Sequence, residues 1–185
     1  RFKEMIHSEL MPPLDNNGNA PLWEAIGRRF MNMGYQEADK LSRSNKEFIL
    51  SLFPSDNIYM TLLPYEARNA IGKVGPDTIP VKNMLEKIGF NYTNEVDPFD
   101  GGPHYRCRLR DIKPVQSFTQ KAIHPEALDA NEKSELHIVS FPNEEYHFIS
   151  LVLPALITAE GIKISKEIKE QFQIKENTIL SSIPF

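Results

Sequence analysis

A single cysteine, Cys107, among 185 residues rules out a disulfide within the chain and suits a reducing, cytoplasmic setting. On an expected strand it reads as a small packing residue before it reads as a nucleophile. Positive charge is not in excess: 21 Lys and Arg against 25 Asp and Glu leave a formal charge of −4, with no basic footprint for nucleic acid. No apolar run approaches the ~20 residues of a membrane-spanning helix, and no signal peptide opens the chain. Glycines number nine and form no phosphate-cradling loop. The spaced pair in GKVGPDT lacks the strand-loop-helix setting and lysine placement of a nucleotide loop. An initiator methionine is also missing: RFKEMIHSELMP reads as a helix end or as a strand interrupted at its start. A fragment, or one product of a processed precursor, is therefore expected.

What is present is an ordinary globular composition, 41% hydrophobic and 25% charged, sized for one domain or one and a half. After the loop PPLDNNGNA, the spacing predicts one helix over PLWEAIGRRFMNMG. Leu22, Ile26, Phe30 and Met33 share a side beside Trp23, Arg28 and Arg29 point elsewhere, Pro21 opens the helix and Gly34 ends it. YQEADKLS and FILSLF suggest further helices, while IYMTLL suits either helix or strand. The best-defined helix has Val81, Met84, Leu85 and Ile88 as an apolar stripe, Asp77 or Thr78 as cap, Pro80 in the first turn and Gly89 as stop. FNYTNEVDPF then turns at DGGP and returns through HYRCRLRDI. Alternation puts Tyr105, Cys107 and Leu109 on one face and Arg106, Arg108 and Arg110 on the other. Residues 114–134 are polar and aperiodic and are expected to be a linker, with a short helix at HPEALDA. Residues 135–185 read as a small β-rich module of strands ELHIVSF, YHFISLVLP, GIKI and NTILSSI, with a short helix capped by Ser165. His137 and His147 lack a metal-ligand spacing, so no metal site is expected.

The run LPYEARNAIGKVGPDTIPVKNMLEKIGFNYTNEVDPFDGGPHYRC resembles the C-terminal half of bacterial arginine N-succinyltransferases. Their pattern there reads roughly IG-x-VH-x-x-T-x-P, a helix ending in EGF, a strand, then FD-(A/G)-GP. PLWEAIGRRFMNMGYQEADKLS and KEFILSLFPSDNIYMTLL resemble two further segments of that family, so the likeness covers residues 1–113. It implies an α/β (α+β) fold, the C-terminal portion of a GNAT-like acyltransferase. It also implies transfer of succinyl from succinyl-CoA, as co-substrate, to the α-amine of arginine in arginine catabolism, with no permanently bound cofactor. Such chemistry needs an amine made neutral, an oxyanion stabiliser and a proton for the departing thiolate.

The resemblance sets Gly75 where that family carries the histidine taken as its proton donor, and Arg29 where GRHFF has its histidine. His104, directly after DGGP, becomes the candidate for a displaced imidazole and hence the catalytic residue. Asp97 and Asp100 are candidate carboxylates for the substrate guanidinium, and Arg28 is a third substrate-binding candidate. The aspartates also suit a purely turn-forming role. The family's acyl-CoA pyrophosphate loop lies N-terminal to all of this, so an N-terminal chain or half of the same protein is the expected partner, together with an oligomer that covers exposed strand edges. The alternatives are a non-catalytic paralogue or regulatory subunit, and an acyltransferase acting on another amine such as ornithine.

Overall fold

The computed structural model describes residues 4–45, 47–52 and 56–185, which divide into two units, one ending at Ile112 and the other running from Lys113 to Phe185. In the first unit a three-stranded antiparallel sheet has the order β1-β3-β2, from β1 (Met5–Glu9), β2 (Asn91–Val96) and β3 (Pro103–Arg108). Of the two readings open for the first residues, the strand is the one that forms. The β2–β3 turn is closed by Asp97 N–H donating to Gly102 O and Gly101 N–H donating to Asp97 O, both at 2.8 Å. Gly101 sits at φ +86, and a Cβ on Gly102 would come within 2.3 Å of the Leu10 carbonyl oxygen, so the DGG run is required by geometry. Tyr105 and Cys107 turn to a core with Leu10, Phe90 and Ile112, while His104 and Arg106 occupy the opposite face by the period of two. Leu109 does not continue the alternation, because a 3-10 turn over Leu109–Asp111 ends the strand.

The helices of this unit depart from the sequence pattern in instructive ways. PLWEAIGRRFMNMG forms two short helices, α1 (Pro21–Ala25) and α2 (Gly27–Met31), broken at Ile26 with φ −120 and ψ −70. Leu22 and Ile26 bury against Leu63 and Ala67, but Trp23 is fully buried in a second cluster with Tyr35, Ala38 and Phe99. The indole lies so close to Gly27 that a Cβ there would sit 2.3 Å from the ring. Two buried directions cannot share one straight apolar stripe, and Phe30, the third residue of the expected stripe, is left 60% exposed. Asn32, in the left-handed region at φ 50, ends α2 before Gly34. Next come α3 (Tyr35–Ser42), α4 (Glu47–Leu52) and α5 (Tyr65–Ala70), with a 3-10 turn at Met60–Leu62 inside IYMTLL. Then α6 (Ile79–Ile88) ends at Gly89, φ +117, as its stop signal predicts. Leu85 and Ile88 pack on the sheet core, whereas Val81 and Met84 stay exposed. Thr78 precedes the helix without a side-chain capping bond.

The second unit is a five-stranded sheet of order β4-β8-β5-β6-β7. It comprises α7 (Lys113–Gln116), β4 (Thr119–Ala122), β5 (Glu135–Asn143), β6 (His147–Ile157), β7 (Ile162–Lys163), α8 (Lys166–Gln171) and β8 (Ile179–Pro184). Val139, Phe141, Leu153, Ala155, Ile162, Ile164 and Leu180 form its core, with Ile168 and Phe172 packed against it. The segment expected as a linker contains β4, paired antiparallel with β8, because an edge strand needs backbone partners and no apolar alternation. HPEALDA is not helical; Leu128 N–H donates to Ile164 O, and Lys163 reaches both Glu126 and Glu132 at 2.9 Å. Ser165 caps α8 as expected, its Oγ accepting from Ile168 N–H at 3.4 Å. Among the described residues no helix is long and apolar enough to cross a membrane.

Candidate functional site

The polar face of the β1-β3-β2 sheet gathers the chemistry. In the antiparallel register Glu9 lies opposite His104 and His7 opposite Arg106, so these four side chains share one face. His104 is not an exposed turn residue: it stands on β3, its side chain is 14% exposed, and its backbone carbonyl accepts from Thr93 Oγ1 at 3.1 Å. Both of its ring nitrogens are shielded from solvent and neither has a hydrogen-bond partner. The nearest ionisable oxygen is Glu9 Oε1, 3.8 Å from His104 Nε2 and 3.5 Å from His7 Nε2. The two imidazoles meet edge to face with centroids 4.4 Å apart. His7 is anchored from behind, since Arg106 Nε–H donates to its Nδ1 at 3.0 Å while the same guanidinium pairs with Glu95.

That anchor decides what the cluster can hold. One ligand atom from each of His7, Glu9 and His104 lies within 4.8 Å of the others, a spacing open to a divalent cation. A metal-binding imidazole, however, normally donates its second nitrogen's proton to a carboxylate or carbonyl. Here an arginine donates into Nδ1, which forces the neutral His7 proton onto Nε2, the nitrogen a metal would need. The donor set therefore fits proton chemistry better than metal binding.

Next to this face the DPFDGG turn adds carboxylates. Asp97 Oδ1 accepts from Phe99 N–H at 2.8 Å and Asp100 Oδ1 from Gly102 N–H at 2.7 Å, so each gives one oxygen to the turn. Burial pushes the Asp100 carboxyl up to about 6, against the pull of the Gly102 N–H, and the charges of Asp97, Glu9 and Asp39 push the same way. Burial and the charges of Asp100, Asp39 and Asp97 likewise hold the Tyr35 hydroxyl well above its ordinary range. Asp100 thus links the sheet face to α3. On the side of α3 a shallow cleft of about 460 Å³ opens between Met11, Leu14, Tyr35, Gln36, Asp39 and Arg43.

His104 and Asp100 are brought into one electrostatic neighbourhood through Glu9, and Asp97 joins it from the turn. Arg28 stands apart on α2, 57% exposed and paired with Glu24 at 2.6 Å. His7 and Glu9 were missed from sequence, although HSE already carries two ionisable residues at the strand spacing. Gly75 has a structural reason of its own. Its N–H donates to Met11 O at 2.8 Å, and a Cβ there would come within 2.7 Å of the Pro12 carbonyl oxygen. The 11–12 backbone occupies the space into which any side chain at position 75 would start.

The mixed sheet-and-helix architecture is of the GNAT-like class. Residues 1–114 match the family model described as arginine N-succinyltransferase beta subunit. The arginine N-succinyltransferase of Escherichia fergusonii is 35% identical over 154 residues, 83% of this chain and 44% of that protein. The corresponding protein of an Escherichia coli strain is 34% identical over 175 residues, 90% of this chain and 50% of its own length. Among solved structures, arginine/ornithine succinyltransferase subunit AI from Pseudomonas aeruginosa superposes with a TM-score of 0.72 at 26% identity, over 99% of this chain and 52% of that one. The chain belongs to the arginine N-succinyltransferase family, and it spans about half the length of the curated relatives it matches.

Proposed function

We propose that this chain is the C-terminal chain of an arginine N-succinyltransferase-like enzyme, acting with an N-terminal chain or half that carries the acyl-CoA site. The observation that carries the reading is a family match over residues 1–114 coinciding with a water-shielded imidazole, His104, beside Glu9. A desolvated imidazole without partners costs about 1–3 kcal/mol per unmade bond, and acid–base sites are where such a cost is tolerated. In this reading neutral His104 takes a proton from the α-ammonium of arginine, and the freed nitrogen attacks the thioester carbonyl of succinyl-CoA. The tetrahedral intermediate then collapses: its nitrogen sheds one proton, the C–S bond breaks, the imidazolium returns a proton to the departing thiolate, and one proton per turnover is left for solvent. Because both ring nitrogens are covered, the ring has to be uncovered for substrate to reach it.

Asp97 and Asp100 are the proposed partners of the guanidinium. Asp100 is held partly protonated near neutrality by burial and by three neighbouring carboxylates, a field that a bound cation relieves. Arg28, already engaged by Glu24, contributes least to this assignment. The second reading, a non-catalytic paralogue, is favoured by one observation: the space at Gly75 is filled by the Pro12 carbonyl, so the family's usual imidazole has no room. The test is thiol release from succinyl-CoA by the natively purified complex with arginine, ornithine or no amine, for the unaltered protein and His104→Ala. Arginine-dependent turnover that collapses in the variant supports the enzyme and the displaced imidazole. Absence of turnover from a complex shown intact by mass favours the paralogue.

A further inference from the structure

Acyl transfer to an ammonium does not balance its protons within the active site. The α-ammonium brings three, the amide keeps one, the thiol takes one, and one must leave for solvent in every turnover. The imidazole that collects it, His104, has ring nitrogens shielded from water, so it cannot hand the proton directly to bulk. Of the side chains at its face, Glu9 is the more exposed and leads outward. Glu9 Oε1 lies 3.8 Å from His104 Nε2, the same oxygen lies 3.5 Å from His7 Nε2, and the two side chains are 49% and 35% exposed. His7 in turn is held by Arg106, whose Nε–H donates to Nδ1 and so keeps the His7 proton on the nitrogen that faces Glu9.

We propose that Glu9 forms the proton exit of the acid–base centre, taking the proton from His104 Nε2 and releasing it to solvent, while His7, whose Nε2–H faces the same carboxylate, orients it. The inference rests on the acyltransferase reading above. The separations are longer than working hydrogen bonds, as is usual before substrate tightens such contacts. Glu9 is the relay residue and His7 a positioning residue; neither touches the reacting atoms. Arg106 keeps the His7 Nε2–H aimed at Glu9 by excluding the other tautomer, so His7 steadies the carboxylate and does not carry the proton.

The test separates the relay from the overall reading. In the intact complex, Glu9→Gln lowers kcat for arginine-dependent thiol release about 10- to 100-fold with KM little changed, the low end of what proton transfer contributes. Raising the concentration of imidazole or another small buffer restores much of the loss, and Glu9→Asp is milder. His7→Asn, which removes only the contact that orients Glu9, gives a smaller loss. A kcat unaffected by Glu9→Gln, or a loss insensitive to buffer, overturns the relay while leaving the enzyme standing. If the complex turns over nothing, ring-nitrogen NMR of the isotopically labelled chain decides. Glu9→Gln must then shift the signals of both His7 and His104, and unmoved His104 nitrogens sink the proposal.

Discussion

Gly75→Ala is a substitution whose sign depends on one contact. The residue has φ −61 and ψ 148, a conformation open to any L-amino acid, so no backbone strain attends the change. With nothing else in play, alanine would stabilise the fold by about 0.4–1 kcal/mol through the reduced entropy of the unfolded chain. Against this, the new methyl would sit 2.7 Å from Pro12 O, 3.1 Å from Pro12 C and 3.3 Å from Met11 O. These are backbone atoms. The Met11 carbonyl is already committed to the Gly75 N–H, and Pro12 is among the fully buried side chains, so relief requires moving a packed strand extension. Overpacking of this kind costs about 1–3 kcal/mol. The expected net effect is a loss of about 1–2 kcal/mol, read as a urea midpoint lowered by roughly 1 M for a unit of this size. Trp23 is the lone tryptophan and is buried in the same unit, so its fluorescence follows the relevant transition. A midpoint equal to or above that of the unaltered chain would refute the close-packing explanation of Gly75. Gly75→His, which begins with the same Cβ, is expected to be at least as destabilised.

Two further outcomes follow from local physics. Asp100 has its carboxyl raised to about 6 in the folded chain against an ordinary 3.8, so the folded state holds the proton more tightly than the unfolded state. Stability therefore falls as pH rises from about 4 to 6 and the cost persists above that window. Asp100→Asn, which keeps the oxygen that accepts from Gly102, removes the fall and gains on the order of 1–2 kcal/mol at neutral pH after allowance for solvent screening. A denaturation midpoint that tracks pH identically in both proteins would contradict this. Ser165→Ala removes the α8 cap and lowers stability of the second unit by about 1 kcal/mol. Hydrogen exchange at Ile168 is the sensitive readout, and unchanged protection there would mean that the cap contributes nothing.

Features decided within a few residues were legible in the sequence, and features decided across the fold were not. Gly89 stops α6 and alternation sorts Tyr105 and Cys107 from Arg106, because a left-handed cap and a period of two are local properties. The break between α1 and α2 was hidden, since it depends on an indole pressed against Gly27 while Leu22 and Ile26 bury toward a different cluster. β4 was hidden for the opposite reason: a polar edge strand is specified by its partner β8, about 60 residues away, and carries no signature of its own. The candidate site divides along the same line. His104 and the two aspartates of the turn are candidates that the family resemblance supplies. Only the pairing of β1 with β3 reveals that HSE contributes the carboxylate and second imidazole beside that histidine. Gly75 combines both cases, for the glycine is visible in one letter, while the Pro12 carbonyl that a side chain there would meet is visible only in the fold. A shielded imidazole beside a carboxylate shared with a second imidazole becomes legible only once β1 is paired with β3.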